Sequence, residues 1–354
     1  MEKLKIGVIG VGNISEAHIP AYLANPNVEL YAFCDINPVR LKEMGERFHI
    51  TRCYTSEEKM LKALPELDAV SVCVWNSAHA ECAIMALNAG KNVLCEKPMA
   101  TSAAEAEKML EAARRNQKLL MIGFVCRFGR DCAVVQDFAN QGFFGDIYYA
   151  KAAYLRRNGN PGGWFSDKSR SSGGPLIDLG VHIIDLTRYL MGNPKPVSVY
   201  GATFQKLFNR PGIKDSVGYQ SVGATEHDIC DVEDLATAII RYDNGAVLEV
   251  ETSYSLNMKA DSSTVEFFGT KGGVKMTPSL EFYTDMNGYM TNVNLANVEQ
   301  YLDESNMFND EIAHFVDCIQ NGTACRAPAA DGLQIMRILD AVYQSAETGH
   351  EVLL

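Results

Sequence analysis

Over the first 124 residues, short, largely apolar runs alternate with amphipathic stretches, and few architectures satisfy that alternation. Residues 5–10, 28–34, 69–74, 92–95 and 119–124 have the unbroken apolar character of strands covered on both faces. Between them, residues 15–24, 38–48, 78–89 and 103–116 space their apolar side chains as helices do. Ser102, with Glu105 three residues on, gives the last of these a capping-box start. The pattern predicts an α/β fold: a doubly wound parallel sheet that takes ligands beyond the carboxyl ends of its strands.

The texture changes after residue 124. Residues 148–156, 197–208, 234–242, 246–254 and 264–268 read as longer alternating strands without helices between them. Asp243-Asn244-Gly245 marks a hairpin between two of them. Helical stretches at 310–320 and 329–347 close the chain. The expected second domain, residues 125–354, is thus α+β on a mostly antiparallel sheet, with residues 1–124 forming the first. Residues 209–231, rich in Gly, Ser and Asp, read as a long loop, and loops of that length are often functional.

At 354 residues the chain is long for one core, which agrees with two domains. The formal charge of −12 argues against nucleic-acid partners and anionic membrane surfaces. No apolar run reaches transmembrane length, and residues 1–6 lead straight into a strand without a signal-peptide core. Ten scattered cysteines, without C-x-x-C spacing, fit a reducing cytoplasm better than a disulfide scaffold.

The first strand runs into Gly10-Val11-Gly12-Asn13-Ile14-Ser15, one step from the G-x-G-x-x-G/A dinucleotide fingerprint. Gly10 would make the tight turn and Gly12 would admit a pyrophosphate, with Asn13 and Ile14 leading into the helix whose N–H groups face it. Asp35, at the tip of the second strand, is placed to hold the ribose hydroxyls of NAD and to repel the 2′-phosphate of NADP. Arg40 nearby is the residue that would soften that preference. NAD is the expected cofactor. Trp75, Asn76 and His79 follow the strand at 69–74, on the same rim as the dinucleotide. Glu96-Lys97-Pro98 follows the strand at 92–95, where a lysine can donate to a substrate oxygen.

In Gly173-Gly174-Pro175-Leu176-Ile177-Asp178-Leu179-Gly180-Val181-His182-Ile183-Ile184-Asp185, the polar residues Asp178, His182 and Asp185 fall at i, i+4 and i+7 on an apolar helix. A histidine one turn from a carboxylate suits proton transfer near neutral pH, although a buried structural pair has the same spacing. Arg127 at the domain passage, Arg156, and Trp164 among glycines are the further substrate-binding candidates. Asp178 and His182 have no second histidine at metal spacing, and no metal is expected.

Three motifs in order, Gly10-x-Gly12, Glu96-Lys97-Pro98, and Gly173-Gly174 through Asp178-x-x-x-His182, resemble the glucose–fructose oxidoreductase / inositol dehydrogenase / MocA family over essentially the whole chain. The resemblance implies a Rossmann domain followed by an α+β domain whose open, mostly antiparallel sheet commonly forms a homodimer or homotetramer. It implies a cis peptide bond between Lys97 and Pro98, and cofactor contacts from Glu96 and Lys97. It further implies that Lys97, Asp178 and His182 are catalytic and contact substrate, with His182 as the acid/base. The implied reaction is NAD-dependent oxidation of a secondary hydroxyl on a sugar, glycoside or cyclic polyol. Keto-sugar reduction, NAD-assisted glycoside cleavage without net redox, and a non-catalytic sensor are the alternatives. Ser15 at the third fingerprint position and Trp75 before Asn76 depart from the family pattern.

Overall fold

The computed structural model describes residues 2–207, 210, 213–214, 218–221, 224–225, 227–296, 298, 302 and 306–354. The chain divides into two compact units, Met1–Val125 with Asn306–Met336, and Cys126–Ser305 with Arg337–Leu354. The first unit therefore includes a stretch from far downstream, carrying the helix Met307–Asn321.

The first unit holds six strands: β1 Leu4–Ile9, β2 Val28–Cys34, β3 Cys53–Tyr54, β4 Ala69–Val72, β5 Asn92–Glu96 and β6 Leu120–Gly123. They lie in the order β3-β2-β1-β4-β5-β6, and every neighbouring pair is parallel. The order reverses between β1 and β4, which is where a doubly wound sheet opens its crevice. Ile6, Val8, Val70, Val72, Val93 and Leu94 are wholly buried, which is why these strands read as unbroken apolar runs. Sequence periodicity missed β3, whose two residues are too few to show a pattern, and the helix Glu57–Ala63. That helix starts on Ser56, whose side chain accepts the Lys59 N–H. Asn37 and Ser102 cap the helices Pro38–Phe48 and Ala103–Asn116 in the same way.

Among the described residues, the second unit is built on nine strands: β7 Ile147–Leu155, β8 Pro196–Phe204, β9 Leu235–Tyr242, β10 Val247–Ser253, β11 Ser262–Gly269, β12 Gly272–Lys275, β13 Glu281–Met286, β14 Tyr289–Val293 and β15 Val352–Leu353. Their order is β14-β13-β12-β11-β7-β10-β9-β8-β15, with β7 and β10 the one parallel pair. The expected hairpin joins β9 to β10, where Gly245 has φ +86° and the Tyr242 N–H reaches the Ala246 carbonyl. Strands β12 to β15 and the helix Arg130–Asn140 were not anticipated. An aromatic cluster binds two of these elements together. Phe138 of that helix stacks on Phe282 of β13 at 4.1 Å, and Phe143 meets both rings edge-on. Among the described residues, no helix is long and apolar enough to cross a membrane.

Candidate active site

In the first unit the loop after β1 shows two glycines with opposite reasons for being there. Gly10 has φ +84°, and a Cβ on it would lie 2.5 Å from the Cys73 carbonyl oxygen. Gly12 has nothing within 4 Å of where its Cβ would be. The helix Ser15–Ala24 starts at Ile14, which provides no side-chain cap. A backbone open at Gly12 and a helix start without a side-chain cap together fit a pyrophosphate. Ser15 is buried, and its hydroxyl donates to the Gly12 carbonyl at 2.6 Å, so the departure at the third position braces the loop from within.

Asp35 accepts the Val11 N–H at 2.8 Å on one oxygen and the Asn37 N–H at 2.8 Å on the other. It therefore ties the glycine loop to the tip of β2. Arg40 donates through Nε to the Val11 carbonyl at 2.9 Å, while its remaining nitrogens bind Glu16 and Glu43. Hydrogen bonds from Arg40 and Arg47 hold the Glu16 carboxyl below its usual range. A 2′-phosphate would thus meet the Asp35 carboxylate and an arginine already neutralised by acids, an arrangement that favours NAD.

Asn76 opens a single helical turn, Asn76–Ala78, and is itself buried, whereas Trp75 and Lys97 are half-buried. His79 is buried, with Nδ1 2.7 Å from the Pro98 carbonyl and Nε2 3.1 Å from that of Val74. Burial keeps the ring neutral, so one contact is a donated bond and the histidine joins the turn after β4 to the turn after β5. The Lys97–Pro98 peptide bond is cis. Glu96, expected among the cofactor contacts, turns its carboxylate inward. One oxygen lies 2.7 Å from His18 Nε2, and the other accepts the Lys97 N–H at 3.1 Å.

In the second unit the motif helix begins with a five-residue π-helical turn, Leu176–Gly180, and continues as Val181–Leu190. Such wide turns recur at functional sites. Gly173 and Gly174 serve packing: a Cβ on Gly173 would run into the Tyr343 hydroxyl, and one on Gly174 into the Glu233 carbonyl. Glu233, buried, accepts the N–H groups of Gly174 at 2.9 Å and Leu176 at 3.1 Å, and the Tyr343 hydroxyl at 2.9 Å. It is the cap of this helix, and its place 57 residues downstream of Leu176 hides that role from sequence reading.

Asp178 and His182 are half-exposed while Asp185 is buried. The Cys126 thiol lies 3.8 Å from His182 Nδ1. Burial lowers the pKa of Arg156, and the charges around it, Asp178 foremost, more than offset this and leave it raised. Arg127 is in the interior rather than open to a ligand. Its Nε and Nη2 bind the two oxygens of Asp185 at 2.9 and 2.6 Å, and its guanidinium lies 4.5 Å from the centre of the Tyr189 ring. Trp164 stacks on Phe165 with ring centres 4.0 Å apart. The preceding glycines are pinned by Asp228, which accepts the Gly163 N–H, and by the Ser221 N–H, which reaches the Pro161 carbonyl. These described residues of the 209–231 loop thus hold the Trp164 turn; residues 209, 211–212, 215–217, 222–223 and 226 lie outside the described residues.

A model described as "Oxidoreductase family, NAD-binding Rossmann fold" matches residues 4–124, and its companion, "Oxidoreductase family, C-terminal alpha/beta domain", matches residues 139–354. The chain belongs to the glucose–fructose oxidoreductase / inositol dehydrogenase / MocA family of NAD-binding oxidoreductases. It is 34% identical to D-glucoside 3-dehydrogenase of Escherichia coli K12, over 99% of this chain and 97% of that protein. Levoglucosan dehydrogenase of Pseudarthrobacter phenanthrenivorans is 30% identical over 77% of this chain and 73% of its own. A solved levoglucosan dehydrogenase complex with NADH and levoglucosan superposes with a TM-score of 0.83 at 25% identity, covering 99% of each chain.

The glycine loop yields a sharp expectation. Gly12→Ala should leave thermal stability unchanged within about 1 °C, because the added methyl meets nothing. It should weaken NADH binding about tenfold or more, because the methyl enters the space a pyrophosphate needs. Fluorescence titration with NADH is the check, and unaltered affinity would remove the pyrophosphate from this loop.

Proposed function

We propose that the protein oxidises a secondary hydroxyl of a glycoside or related sugar with NAD, and that His182 is the acid/base. One observation carries this reading. Between residues 173 and 190 the side chains that are not buried are Asp178, His182 and Tyr189, so the only imidazole of that helix reaches solvent one turn from a carboxylate. When bound, the nicotinamide supplies the hydride acceptor. His182 takes the proton of the reacting hydroxyl. Lys97 donates to that oxygen and polarises it, a task suited to a point charge with three rotatable donors. Asp178, whose charge acts on Arg156, orients a neighbouring sugar hydroxyl or the imidazole. Trp164, stacked on Phe165, offers an aromatic surface on which a sugar ring can rest.

Likeness to a D-glucoside 3-dehydrogenase and to a levoglucosan dehydrogenase supports the substrate class. The test is a panel of alkyl and aryl glucosides, free aldoses, levoglucosan and inositols, read by absorbance of reduced cofactor with NAD and with NADP. The expected result is steady NADH formation with a glycoside and a clear preference for NAD. Aglycone release without NADH accumulation would assign the non-redox alternative, and no cofactor reduction with any member would sink the dehydrogenase reading.

A further inference from the structure

Glu311, on the helix Met307–Asn321, is wholly buried, and among the described residues neither of its carboxylate oxygens has a hydrogen-bond partner. An orphaned buried carboxylate is costly and calls for a cause. Its neighbours supply one: ligand-type atoms of His18, Glu96 and Glu311 all lie within 4.8 Å of one another, and all three residues are buried. His18, at 0% exposure, comes from the helix Ser15–Ala24 and Glu96 from the end of β5. The other groups around this cluster are Cys73, which acts on His18 and Tyr22, and the hydroxyls of Tyr22 and Ser71, 2.6 Å apart. Phe308 closes the His18 side, with ring centres 5.8 Å apart.

Counting charge fixes the protonation. An imidazolium on His18 and a carboxylate on Glu96, 2.7 Å apart, make a neutral pair. A second carboxylate would leave one uncompensated negative charge in a buried site. Glu96 holds the contacts to His18 and the Lys97 N–H that favour a carboxylate, and Glu311 has none among the described residues, so the proton stays on Glu311. Glu96 is then at liberty to divide its two oxygens between His18 and the N–H of Lys97.

We propose that Glu311 is a positioning residue: held as a neutral carboxylic acid, it keeps Glu96 on His18 and on the Lys97 N–H, and so fixes the turn that presents Lys97. The proposal rests on the reading that Lys97 contacts substrate. Burial, reinforced by the Glu96 charge, pushes the Glu311 carboxyl up to about 8. Ionisation above that value places two carboxylates side by side and draws Glu96 away from the Lys97 N–H.

The sign for stability follows from linkage. The folded chain keeps a proton on Glu311 that the unfolded chain loses near the ordinary value of 4.5, so wild-type stability falls with rising pH between about 4.5 and about 8 and this contribution is level above it. Glu311→Gln has no such proton. Its melting temperature relative to wild type should climb across that window and then flatten. Infrared difference spectra, wild type minus E311Q, should show a protonated carboxyl band at neutral pH that disappears as pH rises through about 8. In kcat/KM, the wild type should lose up to about tenfold per pH unit above about 8, and E311Q should lack that limb. Should E311Q fail to fold, Glu311→Met serves the same comparisons.

Parallel pH curves for variant and wild type, or the lack of the infrared band, would overturn the proposal. So would a stoichiometric divalent ion found by elemental analysis in wild type and lost in the variant. The spectral and unfolding readouts need no substrate, so they stand apart from the assignment of Lys97, which Lys97→Ala tests separately.

Discussion

Replacing His182 with alanine should lower kcat on the substrate that the wild type oxidises by about three orders of magnitude, with NADH affinity within about twofold. The size follows from what a positioned acid/base contributes, roughly 10²–10⁴-fold. The selectivity follows from where the ring sits. It belongs to the helix Val181–Leu190, whereas the loop that fits the pyrophosphate, Gly10 to Ser15, and the carboxylate that braces it, Asp35, belong to the first unit. Lys97→Ala should fail differently. A lysine that donates to the reacting oxygen does so before and during the reaction, so its loss should raise KM as well as lower kcat, whereas His182→Ala should leave KM nearly unchanged. Steady-state NADH formation and fluorescence titration separate the two. A His182→Ala enzyme within tenfold of wild type would remove the acid/base role from this residue.

Asp185→Ala should destabilise the protein by about 3–5 kcal/mol, because it strands the Arg127 guanidinium in the interior without its carboxylate. The two side chains are 0% and 1% exposed, so water cannot take over the lost bonds. For a cooperative unit of this size the melting temperature should fall by about 10 °C. The double variant Arg127→Met with Asp185→Leu should recover most of that loss, since an apolar pair removes both charges from a site that shields neither. Calorimetry of the wild type, the single variant and the double variant settles the matter. Equal loss in single and double variants would mean that the packing around Tyr189, and not the ion pair, supports this part of the unit.

What the sequence makes legible here divides along physical lines. The parallel sheet is visible because strands covered on both faces carry few polar residues, and Val70 or Leu94 declares its surroundings locally. The β9–β10 hairpin is visible because Asp243-Asn244-Gly245 specifies its own turn. Strands β12 to β14 lack such marks: Gly272-Gly273 weakens the strand signal, and Phe282 of β13 is secured by rings from a helix more than a hundred residues earlier. The site shows the same divide. Gly10, Asp35 and His182 lie in local patterns that announce them. The partnerships of Arg127 with Asp185, of Glu233 with Gly174 and Leu176, and of His18 with Glu96 and Glu311 join distant segments, and spacing along the chain cannot report them. One trace of the last was available: Glu311 interrupts the apolar face that Phe308, Ile312 and Phe315 form on their helix.

The two glycines after β1 also bear on how variation in such a protein would be scored. A survey that measures only cellular abundance would register every side chain at Gly10, where Cys73 blocks a Cβ, as loss of folded protein. The same survey would pass small residues at Gly12 as harmless, since the space there is open until a dinucleotide arrives. On the expectation that Gly12 admits the pyrophosphate, half of the fingerprint answers to the chain and half to its ligand. A small side chain at the second glycine should leave the protein at normal levels and correctly folded, with the weaker NADH binding expected of Gly12→Ala.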